Sequence, residues 1–501
     1  MFKRLLIANR GEIAVRVIRA CREMGIESVA VYSDADRMSL HTTLADRAVR
    51  IGPSSAAESY LSISAIIDAA RSSGAQAVHP GYGFLSENQD LASACVDAGL
   101  AFIGPPADVI STMGSKIVAR RIAREAGAPV VPGETPVDQS DQAIAAAATA
   151  IGFPVLIKPS EGGGGIGMKE GHAAATLSAA IAQARREAIA AFGDGTLYVE
   201  RLIAAPRHVE FQVLADHHGQ VLHVFERECS IQRRHQKVIE ETPSTVMTPQ
   251  LRARMGAAAV AVARAAGYRN AGTVEFLLEG TGDSARYYFL EMNTRLQVEH
   301  PVTEQVAGLD LVRAQIRIAS GEPLPWTQDA LTQRGHAIEA RVYAEDPISH
   351  LPQAGPLLLY REPSMPGVRI DSGVAEGSKI TVHYDPLLAK LVAWGETREI
   401  ARRRALAALR AFPILGIKTN IPMLVELLQH PRFVDGALDT RFLDVEGASL
   451  AARLSTGPTP DVLAVAAAAR ATTATPAAGG ASRDIDHSSL DPWTSLRGVR
   501  V

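Results

Sequence analysis

The stretch FPVLIKPSEGGGGIGM, residues 153–168, joins an apolar strand-like run to four consecutive glycines. The apolar run ends at Lys158, and the glycines follow at positions 162–165. Glycine allows positive φ angles and leaves its backbone N–H group uncovered, so a loop of this kind can surround a phosphate. A flexible turn without a ligand is the alternative. The stretch lacks the GxxxxGK[ST] pattern, so a P-loop nucleotide site is not expected.

A second polar pattern lies in YFLEMNTRLQVEH, residues 288–300. On an extended strand, side chains two residues apart share one face, and here that face would be polar. Carboxylate and amide oxygens suit Mg²⁺ beside phosphate oxygens. We therefore predict a strand that continues through Glu299 and pairs with a strand carrying Glu275; a solvent-facing edge strand is the alternative. The alternating polar residues are Glu291, Asn293, Arg295, Gln297 and Glu299.

A third segment, ERECSIQRRHQK at residues 226–237, is dense in cationic donors. A solvated basic loop is the usual interpretation of such a run. Its position between the glycine loop and the polar strand instead favours a role with phosphate or bicarbonate. Lys116 begins another predicted helix, and on its own it would be interpreted as a solvated lysine.

The chain as a whole has 501 residues, which exceeds what one hydrophobic core usually holds, so several domains are expected. Its net charge of −3 gives no electrostatic reason to expect nucleic acid or an anionic membrane as a partner. None of the three cysteines lies in a CxxC pair, which fits a reducing compartment. The sequence shows neither a signal peptide nor an apolar run of about 18 residues, so a soluble cytoplasmic protein is predicted.

The chain also changes character along its length. Residues 3–110 alternate between strand and helix patterns, which predicts a parallel α/β sheet. No GxGxxG follows the first strand, so a dinucleotide-binding domain is not expected. Residues 336–446 are predicted to form a further α+β unit. Ala, Thr, Pro and Gly dominate residues 455–482, which is typical of a linker or tail, with a helical patch at 462–469 as an exception.

Together these segments resemble the ATP-grasp superfamily, and the chain is specifically similar to the biotin carboxylases. The resemblance covers about residues 1–446. The motifs that carry it are residues 2–16, 79–87, 206–210, 232–237, 293–300, 336–341 and 384–386.

The resemblance implies a multidomain α/β and α+β fold. An N-terminal Rossmann-like pre-ATP-grasp domain would cover residues 1–113. An ATP-grasp core would cover 114–330, with a mobile lid at about 132–202. A C-terminal biotin carboxylase domain would cover 331–446, and a linker or tail would follow at 447–501.

The resemblance also implies a binding site for ATP with two Mg²⁺ or Mn²⁺ ions. The metal ligands would be Glu275, Glu291 and Asn293. The residues expected around the nucleotide are Lys116, Lys158, Gly163, Gly164, Gly165, Glu200, Arg201, Ile203, His208, Gln232, His235, Glu275 and Glu291.

The chemistry implied by the family is the carboxylation of biotin through carboxyphosphate. Glu299 would deprotonate bicarbonate, and Arg341 would stabilise the biotin enolate. Tyr82 would join Arg341 at the biotin. The bicarbonate site is expected to consist of Lys237, Arg295, Gln297, Val298 and Glu299.

The chain contains no Met-Lys-Met, the context in which long family members carry biotin. A separate biotin carboxyl carrier protein and a carboxyltransferase subunit are therefore expected partners, with a homodimer as the family's assembly. The final acceptor is not readable from the sequence: acetyl-CoA, propionyl-CoA, another acyl-CoA and urea all fit, with acetyl-CoA or propionyl-CoA favoured. Ile166, Pro159 and Leu202 depart from common family residues, but none of them removes a catalytic group. The alternatives are a carbamoyl-phosphate synthase-like ligase and a catalytically silent scaffold.

Overall fold

The computed structural model describes residues 1–160 and 166–454. Gly163, Gly164 and Gly165, and the predicted helical patch at 462–469, lie outside the described residues. Within the described ranges, no helix combines the length and the apolar character needed to cross a bilayer.

The N-terminal region contains the predicted parallel sheet, in the order β3-β2-β1-β4-β5. Leu5, Leu6 and Ile7 are fully buried, as expected of a central parallel strand covered on both faces. The elements are β1 Arg4–Ile7, α1 Gly11–Glu23, β2 Glu27–Ser33, α2 Leu40–Leu44, β3 Arg47–Gly52, α3 Ile63–Ser73, β4 Ala77–His79, α4 Gln89–Asp97, β5 Ala101–Phe102, α5 Ala107–Gly114 and α6 Lys116–Glu125.

A smaller antiparallel sheet follows, in the order β6-β9-β7-β8, with two helices beside it. Its apolar core includes Ile157, Ile181 and Val199. Lys158 lies on its strand β7, next to the glycine loop in sequence. The elements are β6 Gly133–Glu134, α7 Asp141–Ile151, β7 Val155–Pro159, β8 Lys169–Gly171, α8 Ala174–Phe192 and β9 Leu197–Arg201.

The largest sheet has the order β14-β13-β10-β11-β12-β15-β20-β18 and is antiparallel throughout. Two short pairs, β16 with β19 and β17 with β21, lie outside it. The elements are β10 Arg207–Ala215, β11 Val221–Arg233, β12 Gln236–Thr242, α9 Pro249–Ala265, β13 Asn270–Glu279, β14 Arg286–Asn293, α10 His300–Ala307, α11 Leu311–Ala319, β15 His336–Tyr343, β16 Gly355–Pro356, β17 Leu359–Tyr360, β18 Val368–Ser372, β19 Lys379–Ile380, β20 Leu387–Gly395, α12 Arg398–Arg410, β21 Ile414–Leu415, α13 Ile421–Gln429, α14 Pro431–Val434 and α15 Phe442–Leu454.

The large sheet runs without a break across residue 330, where one predicted domain would end and the next begin. Strand β12 pairs with β15, with Ile239 opposite Ala340. This pairing brings Arg341 close to side chains that lie about 100 positions earlier in the chain. The last described helix, α15, also continues through position 446 to Leu454.

The predicted strand through Glu299 is wrong beyond Asn293, where β14 ends. Residues 294–299 form a turn, and Glu299 is the N-cap residue of α10. Two buried side chains hold the carbonyl groups of this turn. His300 Nδ1 lies 2.8 Å from the carbonyl oxygen of Gln297, and Lys390 Nζ donates to that of Val298 at 2.9 Å. The polar residues that alternate after Asn293 therefore belong to a turn inside the protein, and not to a continuous strand.

The cationic segment at 226–237 is also not a solvated loop. It forms the end of β11, a tight turn and the start of β12. Arg234 and His235 occupy the turn with positive φ angles of 49° and 65°. The hairpin directs Gln232 and Lys237 toward the interior of the protein.

Candidate active site

Lys237 is the centre of a buried group of charged side chains. Its Nζ atom lies 2.5 Å from Oε2 of Glu210, 2.7 Å from Oε1 of Glu299 and 3.0 Å from Oε1 of Glu275. Burial by itself would lower the pKa of Lys237, but the three carboxylates outweigh it and hold that pKa well above its ordinary value. The ammonium group therefore stays charged in the interior.

Arg341 binds the other oxygen of the same glutamate. Its Nη2 atom lies 3.0 Å from Oε2 of Glu299, and its Nε donates to Glu240 at 2.6 Å. Burial would raise the pKa of Glu299, yet Lys237 and Arg341 together hold it well below its ordinary value. Glu299 is thus an ionised carboxylate placed between an ammonium and a guanidinium.

The carboxyl groups behind Arg341 titrate differently. Burial, reinforced by the charge of Glu299, raises the pKa of Glu240 to about 7 despite its contact with Arg341. Glu339 lies opposite Glu240 in the pairing of β12 with β15. Burial raises the pKa of Glu339 well above its ordinary value, and its oxygens have no hydrogen-bond partner among the described residues.

Arg295 and Gln297 line the side of the group nearest the N-terminal region. Arg295 Nε donates to Oε2 of Glu87 at 2.8 Å, and its Nη1 donates to Oε1 of Gln297 at 2.9 Å. Gln297 in turn donates to Glu275 at 3.0 Å. Burial lowers the pKa of Arg295, but the nearby carboxylates Glu87 and Glu299 raise it by more. The guanidinium is therefore charged and fixed in orientation.

Glu275 and Glu291 lie opposite each other in the pairing of β13 with β14. Glu275 accepts from Nδ2 of Asn293 at 2.7 Å, and its Oε2 lies 2.8 Å from Nε2 of His208. Glu291 has fewer contacts, and Lys116 Nζ lies 3.5 Å from its Oε2. Hard carboxylate and amide oxygens of this kind fit the preferences of Mg²⁺. The cationic groups already around these carboxylates show that the position attracts positive charge.

The predicted nucleotide residues around Lys158 form a second group. Lys158 Nζ lies 3.0 Å from Oε1 of Glu200, whose Oε2 lies 3.0 Å from Nη1 of Arg120. Arg201 binds Glu279 at 3.1 Å. The side chains of Glu200 and Arg201 are therefore engaged in ion pairs, and the backbone nitrogen of Arg201 donates to the carbonyl oxygen of Pro132 at 2.8 Å.

The remaining predicted nucleotide residues lie beside these two groups. Ile203 packs in a small apolar cluster that includes Val131 and Tyr288. Gln232 Nε2 lies 2.7 Å from Nδ1 of His208. Burial lowers the pKa of His235, so its ring favours the neutral form.

Tyr82, the predicted biotin contact, lies at the N-terminal side of the site. Lys390 Nζ is 5.8 Å from the centre of its ring. The Tyr82 hydroxyl is buried and has no hydrogen-bond partner among the described residues. Lys390 pairs in register with Arg341, so the two side chains share one face of the large sheet, and Tyr82 lies beside Lys390 on that face.

Three family models match the chain in order. Residues 1–110 match the biotin carboxylase N-terminal domain, residues 115–327 match the ATP-binding domain of the carbamoyl-phosphate synthase L chain, and residues 339–445 match the biotin carboxylase C-terminal domain. A biotin carboxylase of Halalkalibacterium halodurans is 49% identical over 443 residues, covering 88% of this chain and 97% of that protein.

The chain belongs to the biotin carboxylase family.

A longer relative is the mitochondrial methylcrotonoyl-CoA carboxylase subunit alpha of Oryza sativa subsp. japonica. It is 52% identical over 444 residues, which is 88% of this chain and 60% of the relative. The chain thus spans about 60% of the length of the methylcrotonoyl-CoA carboxylase subunits that it matches. Among solved structures, the biotin carboxylase domain dimer of the Hydrogenobacter thermophilus 2-oxoglutarate carboxylase superposes with a TM-score of 0.86. It is 43% identical, and the match covers 90% of this chain and 99% of that one. The fold class predicted from the resemblance is confirmed.

Several charged residues at the centre of this biotin carboxylase fold were missed from the sequence. Arg227 is fully buried and binds Glu210 at 2.5 Å. Glu210, two residues after His208 on β10, lies on the same strand face as His208. The alternation of His208 and Glu210 was the sequence signal that could have identified Glu210. For Glu87, the signal was its place at the end of the motif at residues 79–87. The missed residues with direct contacts to the predicted site include Glu87, Arg120, Glu210, Arg227, Glu240, Glu279 and Lys390.

Cys229 lies inside the same group of charges. Its Sγ atom is 3.9 Å from Oε1 of Glu299, and burial raises its pKa well above the ordinary value. The thiol is therefore protonated and weakly nucleophilic. This environment favours a packed thiol over a redox centre.

Proposed function

We propose that the protein uses ATP and bicarbonate to carboxylate biotin held by a separate carrier protein, as the first half-reaction of an acyl-CoA carboxylase. The observation that carries this proposal is the position of Glu299 between Lys237 and Arg341. One oxygen of the carboxylate faces each cation. This arrangement provides a base, a cradle for an anion and a stabiliser of a developing oxyanion within one small volume.

Glu299 would take the proton of bicarbonate. Its low pKa makes it a weak base in isolation, so the proton of the substrate must become more acidic for the transfer to occur. Lys237 and Arg295, both charged and close to Glu299, would bind the bicarbonate oxygens and acidify it. The cations that lower the pKa of the base thus also lower the pKa of the acid. Gln297 and the backbone at Val298 would complete the cradle.

Lys116, Lys158 and the loop containing Gly163, Gly164 and Gly165 would bind the phosphates of ATP. Positioning and charge neutralisation account for most catalysis of phosphoryl transfer. Glu275 and Glu291, with Asn293 nearby, would hold two Mg²⁺ or Mn²⁺ ions, which when bound neutralise charge on the transferring phosphoryl group.

The adenine and ribose would contact the hinge formed by Glu200, Arg201 and Ile203, together with His208, Gln232 and His235. We infer that residues 132–202 act as a lid, supported by the separate four-stranded sheet that they contain. Closure would keep water from the carboxyphosphate.

Biotin would bind at Arg341 and Tyr82. Carboxyphosphate would release CO₂, and its phosphate would take the proton from the ureido nitrogen of biotin. Arg341 would then stabilise the negative charge on the ureido oxygen while the nitrogen attacks CO₂. The supporting geometry is that Glu240 and Glu299 fix the guanidinium from two directions.

The proposed partners are those that the carboxylation of biotin and the transfer of its carboxyl group require. We infer a biotin carboxyl carrier protein or domain, a carboxyltransferase subunit and a homodimer of this chain; the Hydrogenobacter thermophilus domain is a dimer. An acetyl-CoA or propionyl-CoA acceptor stays a prediction, since the matched relatives are named for methylcrotonoyl-CoA and 2-oxoglutarate. A cytoplasmic location likewise stays a prediction. The domain boundaries at 113, 330 and 446 are proposals supported by the three family matches.

The test is the release of ADP from Mg-ATP with and without bicarbonate and free biotin. Bicarbonate-dependent ADP release that biotin stimulates several-fold supports the proposal. ADP release that requires bicarbonate but ignores biotin would favour a different ATP-grasp ligase. No ADP release under any of these conditions, with a purified carrier domain also supplied, would favour a silent scaffold.

A further inference from the structure

Lys390 is a fully buried lysine to which the proposed reaction assigns no role. It lies on β20, between Arg341 on β15 and Asp371 on β18 in the pairing of the three strands. Burying an ammonium group has a high desolvation cost, which contacts with other groups must offset. Those contacts therefore indicate the role of Lys390. Its one hydrogen bond among the described residues is to the carbonyl oxygen of Val298, at 2.9 Å.

The other contacts of Lys390 are with the ring of Tyr82 and with the carboxyl groups of Glu12 and Asp371. Glu12 Oε2 lies 3.2 Å from the ammonium, and Asp371 lies at 4.0 Å but is bound by Arg369 at 2.7 Å. Neither oxygen of Glu12 has a hydrogen-bond partner within the described ranges. Lys390 is therefore the main cation near Glu12. The main hydrogen-bond acceptor of Lys390 is the carbonyl oxygen of Val298.

The carbonyl of Val298 belongs to the peptide that leads into Glu299. Fixing this carbonyl fixes the plane of that peptide, because the bond is planar. The orientation of this plane determines the position of the Cα atom of Glu299, and so the point from which its side chain extends. The neighbouring carbonyl of Gln297 is held by His300 at 2.8 Å. The backbone of the turn thus depends on two buried side chains, one of which follows the turn directly while the other is 92 residues away.

We propose that Lys390 is a positioning residue for the bicarbonate turn, holding Val298 so that Gln297, Val298 and Glu299 together form the bicarbonate site. Through Glu12 on α1, it also ties this turn to the N-terminal region. This inference rests on the proposed function. Lys390 acts through the backbone of the turn and touches no reacting atom.

Packing around Glu12 supports a fixed contact on the N-terminal side. A Cβ atom added at Gly373, directly after β18, would lie 2.4 Å from the backbone nitrogen of Glu12 and 2.7 Å from the carbonyl carbon of Gly11. The start of α1 therefore lies against the backbone that follows β18. Such close approach is one of the recognised uses of glycine.

The test compares two variants that differ at Lys390 alone. Glu12→Gln removes the charge of Glu12 while Lys390 keeps its bond to Val298. The double variant Lys390→Met/Glu12→Gln removes that bond without leaving Glu12 as an unpaired buried carboxylate. We expect the KM for bicarbonate of the double variant to exceed that of Glu12→Gln at least tenfold. The KM for ATP should stay within about twofold, since a charge-assisted hydrogen bond is lost only at the turn.

Arg398→Met is a control for general destabilisation. Arg398 binds Glu241 at 2.6 Å and the carbonyls of Phe433 and Val434, away from the turn. We expect this variant to lower the melting temperature and to leave the KM for bicarbonate unchanged. If it raised that KM as much as the double variant does, the effect of Lys390 would be one of stability and the inference would fail.

A second measurement does not depend on catalysis. Amide hydrogen exchange, followed by mass spectrometry, should become faster in residues 294–302 of the double variant than in the Glu12→Gln variant, with β13 and β14 unchanged. Equal exchange in the two variants would overturn the proposal even if the wild type is inactive. A wild type that ignores biotin, combined with faster exchange in the double variant, would contradict the proposed function and leave the role of Lys390 in place.

Discussion

The surroundings of Lys158 and Lys237 differ in the ratio of cationic groups to carboxylates. On the small sheet, Lys158 shares the single carboxylate of Glu200 with Arg120 of helix α6. On the large sheet, Lys237 alone contacts three carboxylates, those of Glu210, Glu275 and Glu299.

The first arrangement leaves excess positive charge just before the glycine loop in sequence, which suits the phosphates of a nucleotide. The second arrangement is rich in carboxylates and needs further cations, which Arg227 and Arg341 supply in part. One kind of ion pair thus produces an anion site in one region and a site for proton transfer and metal binding in the other. The balance of charges, more than the presence of a lysine, separates the two roles.

The largest expected effect comes from removing the base in the carboxylate-rich region. Glu299→Gln should lower bicarbonate-dependent ADP release by about 10²–10⁴-fold, because an amide cannot accept the proton of bicarbonate. The KM for ATP should change little. Initial rates at varied bicarbonate and ATP would measure both quantities. Glu125→Gln, a 60% exposed side chain on α6, is the matched control and should behave as the wild type.

The second effect concerns stability. It uses Glu241, a carboxylate that Arg398 and His336 bind away from the proposed reaction. Burial raises the pKa of Glu241, yet the hydrogen bond from His336 and the charge of Arg398 outweigh it and lower the pKa to about 2 from 4.5. A folded-state pKa below the ordinary value stabilises the fold above about pH 4.5, and this contribution is lost as the pH falls toward 2. About 2.5 pKa units correspond to about 3 kcal/mol.

Glu241→Gln should therefore lower the melting temperature at pH 7, and the gap to the wild type should narrow as the pH is reduced toward 3. Thermal unfolding followed by circular dichroism at several pH values would measure it. A gap that is independent of pH would contradict the assignment. Loss of bicarbonate-dependent activity in the folded variant would instead place Glu241 in the proposed reaction.

The third effect tests the cationic region directly. Lys158→Met should raise the KM for ATP by about 10–100-fold, because it removes a charge-assisted contact worth about 1.5–3 kcal/mol. The KM for bicarbonate should remain near that of the wild type. Arg121→Met is the control, since Arg121 is 59% exposed and pairs only with Glu125 in the described part of the chain. An equal rise in both KM values would remove the distinction between the two regions.

The smallest effect is expected at the edge of the carboxylate-rich region. Glu87 accepts from Nε of Arg295 at 2.8 Å and from the backbone nitrogen of Thr294 at 3.0 Å. Because Glu87 is 40% exposed, its pair with Arg295 is worth at most about 1 kcal/mol. Glu87→Gln should raise the KM for bicarbonate about three- to fivefold in steady-state assays. A loss as large as that of Glu299→Gln would instead place Glu87 in the reaction itself.

The sequence was sufficient to predict most of the local structure that carries the site. Apolar runs such as Leu5–Ile7 predicted the parallel sheet, and the strand predicted to carry Glu275 is confirmed. Its predicted pairing with the strand of Glu291 is also confirmed, while the register that sets Glu275 opposite Glu291 comes from the structure. These features depend on residues that are close in the sequence, and local patterns report on such residues.

The sequence failed where distant residues decide the structure. The alternation from Glu291 to Glu299 predicted a continuous strand, but Lys390 and His300 hold the backbone of residues 294–299 in a turn. The buried charges of Arg227 and Glu210 were also missed, because charged residues are almost never fully buried unless they are paired. Their pairing depends on the register between β10 and β11, which the sequence alone does not provide.

The most direct test of the proposed function is the transfer of label from [¹⁴C]bicarbonate to a separately purified biotin carrier domain. The wild type should form an acid-labile labelled carrier only when ATP and Mg²⁺ are present. The variants Glu299→Gln and Arg341→Ala should form almost none while remaining folded. Labelling that persists at the wild-type level in both variants, or that never appears although ATP is consumed, would contradict the assignment of this site to biotin carboxylation.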